Sequence, residues 1–519
     1  MQTDPNQGYL ATSEYIYAYF RQQHPASLRW VQLLAGFKAP SASADALHCE
    51  LGFGQGLGLA ITAAATSERQ VGVDFMPEQV DNLTQLLKSS GVSAELVCAD
   101  FAQFLATNQQ IFQTISLHGV WSWVAPEIRQ QILTIIERFL SDDGMVYLSH
   151  NTLPGCAPIL PMQRLIHHTA QAFSDHADDG LKAALAVLQS AMPFSRYVES
   201  EPSLLDWWQS LAQENPRYLS HEYLGHAWHP MSFHDTADWL AQAGLSFTCS
   251  ADAIELLTDC HFTTEQQAWL NGLPEGRLRE SYADVLRNQT FRRDIWQKHP
   301  QRLTPEEQTQ ALLSTQLVLL HPLSVITPII QGDLGSFDLP QPITALCLQW
   351  LASNDYAAKS VASLLAEINQ RNPQQSMTVL ELIPLLSALT ANGAIHPANA
   401  QITEELTQHS QCLNRQLMQY AWQDHQIAYL ASPVAGCGVQ VSRLQQLGLL
   451  AYEATQAVDA DSWAQWLWQR KDRLAGVFPD ELSEPEQLTW LASQFAYFME
   501  HRFRLLQALG VIFKPDSGE

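Results

Sequence analysis

Over the first 150 residues, short apolar runs alternate with amphipathic stretches of helical period, and few folds admit that alternation. Ala46–Leu51 reads as a strand that ends in a glycine-rich turn, and an apolar helix follows over Leu57–Thr66. Val71–Asp74 reads as a second strand ending on an acid. Pro77 then opens a helix whose Val80, Leu83 and Leu87 fall at helical spacing. Ala94–Cys98, Thr114–Leu117 and Met145–Ser149 supply three more strands, with a helix over Pro126–Leu140 stopped by Asp142-Asp143-Gly144. Five strands with four short crossovers make a parallel, doubly wound α/β sheet, whose ligand should lie beyond the strands' C-terminal ends.

Later segments extend the pattern. Residues 155–230 are helical in character, with Trp207 and Trp208. A helix near Phe233–Ala243 precedes the strand-like Leu245–Cys249, and Phe291–Trp296 is a further β-leaning run; these two read as the last strands of the same sheet. Past Pro305, Ile343–Leu351, Ala358–Asn369 and Val379–Asn392 outline a winged-helix-like region closed by Gly393-Ala394-Ile395. The expected division is 1–155 (with a helical leader, 8–40, as a lid), 156–300 as the insert completing the sheet, 305–400, and a C-terminal helical region, 401–519. Within that last region Trp463, Trp466 and Trp468 suggest a packing surface.

Charge narrows the partners. The chain has 28 Lys and Arg against 53 Asp and Glu, net −25. Residues 1–160, 161–300 and 301–519 carry −7, −8 and −10, so no region offers a phosphate-tracking nucleic-acid surface. Between 305 and 400 seven acids face only Lys359 and Arg371, where a DNA-reading helix would need basic residues. The uncharged stretch Ala311–Ile330 contains Gln316, His321, Pro322 and Pro328, and reads as broken core helix rather than a membrane span. The start lacks a secretory pattern and the eight cysteines form no CxxC pair, so a cytoplasmic protein without membrane insertion is expected. His221, His226, His229 and His234 are close together, but His221-Glu222-Tyr223-Leu224-Gly225 misses HExxH and no cysteine pair supports it; no metal is expected.

The strongest local signal is Glu50-Leu51-Gly52-Phe53-Gly54-Gln55-Gly56, at a strand end opening a helix. Glycine lets backbone approach a ligand where a Cβ would collide. Counting six from Gly52 or Gly54 reaches Leu57 or Leu59, so the dinucleotide fingerprint fails, and no phosphate-loop Lys follows. A nucleoside without a pyrophosphate remains. Asp74, ending strand two, is placed to accept from ribose hydroxyls, and Asp100, after strand three, to accept from an adenine amine.

These elements in this order resemble the class I S-adenosylmethionine (SAM)-dependent methyltransferases, with a Rossmann-like sheet. His118-Gly119-Val120-Trp121-Ser122-Trp123-Val124, Ser149-His150-Asn151-Thr152-Leu153-Pro154-Gly155, Ser220–Leu224, Arg287–Arg293 and Ala431–Gly438 resemble the bacterial members carrying a methyltransferase regulatory domain. That group includes protein-lysine methyltransferases of outer-membrane proteins. The chain departs from the group at His150 and Trp121, where an aromatic residue and commonly Tyr stand.

The resemblance implies a cofactor set of Glu50, Gly52, Gly54, Gly56, Asp74, Asp100, Phe101, His118 and Gly119. It implies in-line methyl transfer with His118, Trp121 and Asn151 as candidate catalytic residues. Tyr15, Trp121, Trp123 and Asn151 are the candidate substrate contacts. In extended backbone Trp121 and Trp123 would share a face and line an acceptor channel, the alternative being that one or both plug the core, whereas Tyr19 and Phe20 read as packing onto the sheet. A protein-lysine acceptor is expected, with SAM as cofactor and S-adenosylhomocysteine as product, and with the helical insert a candidate homodimer surface. The alternatives are a small-molecule methyltransferase with regulatory domains and a non-catalytic SAM-binding scaffold. The missing Asn/Asp-Pro-Pro-aromatic motif after strand four and the acidity argue against direct DNA N-methylation.

Overall fold

The computed structural model describes residues 17–512 apart from 175, 212, 213, 215, 226, 372 and 480. Seven strands form one sheet: β1 (Leu47–Leu51), β2 (Arg69–Asp74), β3 (Glu95–Cys98), β4 (Phe112–Leu117), β5 (Leu140–Asn151), β6 (Leu245–Ser250) and β7 (Phe291–Lys298). Their order is β3-β2-β1-β4-β5-β7-β6, and β7 runs antiparallel between β5 and β6. The strands expected at Leu245 and Phe291 therefore do complete the first sheet across a long helical insertion.

Alternation along the strands sorts the two faces. Leu47, Cys49, Leu51, Val71, Val73, Ile115, Leu117, Val146 and Leu148 form one core with α4 (Phe101–Thr107), α5 (Pro126–Phe139) and the helix Phe233–Ala241. On β1 and β4 the intervening positions, His48, Glu50, Thr114 and Ser116, are polar, and His48 bonds across to both neighbouring strands. His48 on β1 bonds Gln70 Oε1 on β2 at 2.7 Å and Ser116 Oγ on β4 at 2.8 Å. Burial lowers His48 to about 4, so the imidazole stays neutral inside this lattice.

On that second face lie α1 (Pro25–Leu34), α2 (Leu57–Ala65) and α3 (Pro77–Ser90). Pro77 at the first turn, Glu78 near the N-terminus, Lys88 near the C-terminus and left-handed Gly91 beyond it give α3 a complete set of helix-end signals. The C-terminal region covers α2 and α3: the helix Glu404–Gln419 packs on both, with Ser410 Oγ donating to Ala64 O at 2.9 Å. Their apolar side chains join one core that runs through to Ile512. The insert, by contrast, buries Met162, Ile166, Leu181, Leu188 and Leu204 in a core of its own.

Three readings change. Strand β5 begins at Leu140, so Asp142-Asp143-Gly144 lies inside the strand; only the helix stops there, at Phe139. Ala311–Ile330 is not a broken helix: after Ser314 the chain turns extended, and Gln316–Leu319 is the middle strand of a three-stranded antiparallel sheet between Lys359–Ser360 and Ile395–Pro397. A short apolar run bounded by Thr315 and Pro322 has the length of a strand, which hydrophobicity alone does not reveal. Finally, Trp463 is fully buried against Phe495, Phe498 and Phe503 and is core rather than surface.

Candidate active site

The crevice opens at the C-terminal ends of β1, β2 and β4. Gly52, Gly54 and Gly56 have φ of +76°, +58° and +68°, a left-handed path that glycine adopts without strain. A Cβ at Gly52 would lie 2.7 Å from Val120 Cγ2, and one at Gly56 2.3 Å from Leu83 Cδ2. Asp74 pins this loop: Oδ2 accepts from Gly54 N–H at 2.9 Å while Oδ1 accepts from Met76 N–H at 3.0 Å. Burial raises the Asp74 carboxyl to about 6, against the pull of those N–H donors. Asp100 is the N-cap of α4, its Oδ1 accepting from Gln103 N–H at 2.8 Å, with Phe101 half-buried beside it.

The leader closes the crevice from above. Gln23 Nε2 donates to Glu50 Oε1 at 3.2 Å, and Ala18, Phe20, Gln23, Gly54 and His118 share the walls of the cleft. Tyr15, expected as the lid contact, lies outside the described residues. Phe20 is a correction: it stacks on His118, ring centroids 3.5 Å apart, instead of packing onto the sheet. Tyr19 points the other way, accepting from Gly438 N–H and stacking on Tyr429 at 4.4 Å. The strap over the crevice is thus tied to the C-terminal hairpin Tyr429–Gln440.

Beyond β4 and β5 lies the side on which an acceptor could approach. His118 Nδ1 is 2.7 Å from Tyr147 Oη, and burial, with Arg293 nearby, lowers the ring to about 3. Gly119 N–H donates to Ser149 Oγ at 2.9 Å. Trp121 is a second correction. The chain from Trp121 to Trp123 makes a 3-10 turn, so the two rings diverge where extended backbone would have aligned them. Trp121 is fully buried against Trp239 and beneath Arg129, and cannot touch an acceptor. Trp123 instead stacks on Trp228 of the insert, centroids 5.8 Å apart, and Trp228 Nε1 donates to Asn151 Oδ1 at 3.1 Å. Phe20 and Gln23, which reach the crevice, and Trp228, which reaches Trp123 and Asn151, escaped the sequence reading because each arrives by tertiary packing, with no local motif. The arginines Arg287, Arg292 and Arg293 are ion-paired, with Glu255 and Asp333, with Glu280, Asp284 and Asp294, and with Asp252.

The crevice fits an adenosyl amino acid. Its glycine floor has no room for side chains, and Gln23 Oε1 is buried without a partner among the described residues, an acceptor beside Glu50 suited to an ammonium group. Residues 49–144 match the family model "Methyltransferase domain", and 215–298 match "Predicted methyltransferase regulatory domain". An uncharacterized protein of Synechocystis sp., sll1526, is 28% identical over 98% of this chain and 99% of its own. A second, RP789 of Rickettsia prowazekii, is 24% identical over 52% of this chain and 49% of its own. The solved structure of PKMT2 from Rickettsia typhi in complex with AdoHcy shares the fold, with a TM-score of 0.69 at 17% identity, covering 96% of this chain and 100% of that one. The chain is a SAM-dependent methyltransferase that carries a methyltransferase domain at residues 49–144 and a methyltransferase regulatory domain at 215–298.

Proposed function

We propose that this enzyme methylates lysine side chains of a protein substrate. The observation that carries the reading is an aromatic pair near the crevice: Trp123 stacks on Trp228, which donates to Asn151 at the end of β5, the strand paired with β4, after which the neutral His118 follows. Aromatic faces attract an incoming ammonium and then strip water from it, which favours the neutral amine that must attack. The acidity of the chain, net −25, favours a cationic partner too. The fold is shared with PKMT2 of Rickettsia typhi, whose structure was solved in complex with AdoHcy. SAM, when bound, supplies a methyl group activated by a sulfonium.

Gly52, Gly54, Gly56 and Glu50 would hold its methionine part, Asp74 its ribose, and Asp100 with Phe101 its adenine. His118, at about 3, is far too weak a base to take a proton from an alkylammonium at neutral pH. Its work is positional: stacked under Phe20 and bonded to Tyr147, it fixes the wall next to the transferred methyl. Trp123, Trp228 and Asn151 would align the amine and exclude water, effects that contribute roughly 7–11 kcal/mol in well-oriented reactions.

Transfer of tritiated methyl groups into an outer-membrane protein fraction, followed by acid hydrolysis and amino-acid analysis, tests this. Label is expected in methyl-lysine. Label confined to small molecules, or to other amino acids, would overturn the assignment.

Glu50 adds a pH signature. Burial, with Asp74 nearby, raises its carboxyl to about 8, so it is mostly protonated in the free enzyme at neutral pH. A cationic ligand beside it favours the carboxylate, so binding expels a proton and affinity rises with pH until about 8. The expected slope approaches about tenfold per pH unit, since one proton is exchanged. Calorimetry in buffers of different ionisation enthalpy should detect that proton, and Glu50→Gln should flatten the profile. Retention of the slope in the variant would assign it to another group.

A further inference from the structure

Away from the crevice, a cleft of about 810 Å³, counting its open mouth, separates the segment after strand Gln316–Leu319 from the C-terminal helices. Its polar lining comprises Arg502, His321, Thr327, Asn392, Gln440, Ser442 and Gln445, and no Asp or Glu contributes. In a chain of net −25 that composition needs a reason. Arg287, Arg292 and Arg293 are each paired with carboxylates, but Arg502 forms no ion pair among the described residues. It donates to Gln440 O, while its Nε is buried with no partner among the described residues. Arg502 as a whole is half-buried, and a partly buried guanidinium without a counter-charge is costly, yet the fold keeps it that way. The segment that carries Arg502, Met499–Phe503, is a π-helical turn, a local irregularity frequent at functional sites. The 13-residue helix Arg443–Thr455 starts at the same cleft behind its N-cap Ser442, bringing a positive dipole end toward the guanidinium.

We propose that this cleft is a binding site for a carboxylate ligand, gripped by Arg502 and by the neutral amide and hydroxyl donors around it. The charge count selects the ligand. Burial lowers Arg502 only to about 10 and holds His321 at about 4, so at neutral pH the cleft carries one positive charge. One planar guanidinium matches the fork of one carboxylate, whereas a phosphate dianion is better matched by two cations. The site stands apart from the acceptor assignment and does not depend on it.

Ligand-observed NMR titration of the full chain with acetate, succinate and inorganic phosphate, at constant ionic strength, tests the proposal. The carboxylates are expected to bind saturably, ahead of phosphate. Arg502→Gln should weaken them at least tenfold, and Arg504→Gln, at an exposed neighbour, should not. If Arg502→Gln folds poorly, Gln445→Glu serves instead: it keeps the Ser442 capping box, for which Glu is equally suited, yet brings a negative charge into the cleft. It should weaken carboxylate binding to the same degree while raising Tm. Absence of saturable carboxylate binding, phosphate binding more tightly than either acid, or undiminished binding in Gln445→Glu would each overturn the assignment.

Discussion

Replacing Asp74 by alanine is expected to weaken SAM binding by about 100-fold or more, because two kinds of bond are lost at once; charge-assisted hydrogen bonds contribute about 1.5–3 kcal/mol each. The first kind is to the ribose hydroxyls, which the carboxylate at the end of β2 would accept. The second is already visible: Asp74 joins Gly54 N–H to Met76 N–H and so holds the floor of the crevice. Without it, two backbone donors lose their acceptor and the loop loses its pin, so some preorganisation goes as well. Asp74→Asn restores one acceptor oxygen but turns an N–H₂ toward backbone donors, so it should recover only part of the affinity. The Ala variant should remain folded, since the sheet contacts of β2 run through its backbone and through Val71 and Val73. Calorimetry with SAM, alongside circular dichroism, separates the effects. An unchanged dissociation constant in a folded variant would remove Asp74 from the ribose role.

How much of this was legible follows from where each signal resides. The strands of the main sheet were readable because Gly, Pro or Asp bounds nearly every apolar run, and strands that alternate core and polar faces keep a period of two. Glycine loop and Asp74 were readable for a related reason: their chemistry depends on position at a strand end, and a strand end is a local property. Strand Gln316–Leu319 was misread as helix because its three apolar residues fit either period. Gln23 reaches Glu50 from 27 residues away, and Trp228 reaches Asn151 from 77, through packing that no spacing encodes. Trp121 and Trp123 fell between these cases. Their identity and place after β4 were plain, but which ring met the core depended on a 3-10 turn of three residues.

That turn gives the second large prediction, in which two tryptophans separated by one serine fail in opposite ways. Trp121 is fully enclosed by the core around α5 and the helix Phe233–Ala241, so its truncation leaves a cavity the neighbours cannot fill. Trp121→Ala should lower the unfolding free energy by about 3–5 kcal/mol, as for other large aromatic core truncations. Trp121→Phe, which keeps most of the volume, should retain most of that stability and nearly full activity. Trp123 is only half-buried and rests on Trp228, so Trp123→Ala should cost far less in stability. Its effect belongs on the acceptor: kcat/KM for the protein substrate should fall at least 100-fold, about 2.7 kcal/mol of transition-state stabilisation, with SAM affinity unchanged. Removing Trp228 should reproduce that loss, because both rings form one wall and Asn151 is held through the second. In a double-mutant cycle the two changes should therefore be strongly non-additive. Denaturant unfolding and steady-state kinetics on the wild type and all of these variants decide the matter. If Trp123→Ala loses stability as Trp121→Ala does and keeps its kcat/KM, the stacked pair is merely a joint between sheet and insert, and the acceptor must approach the crevice from another side.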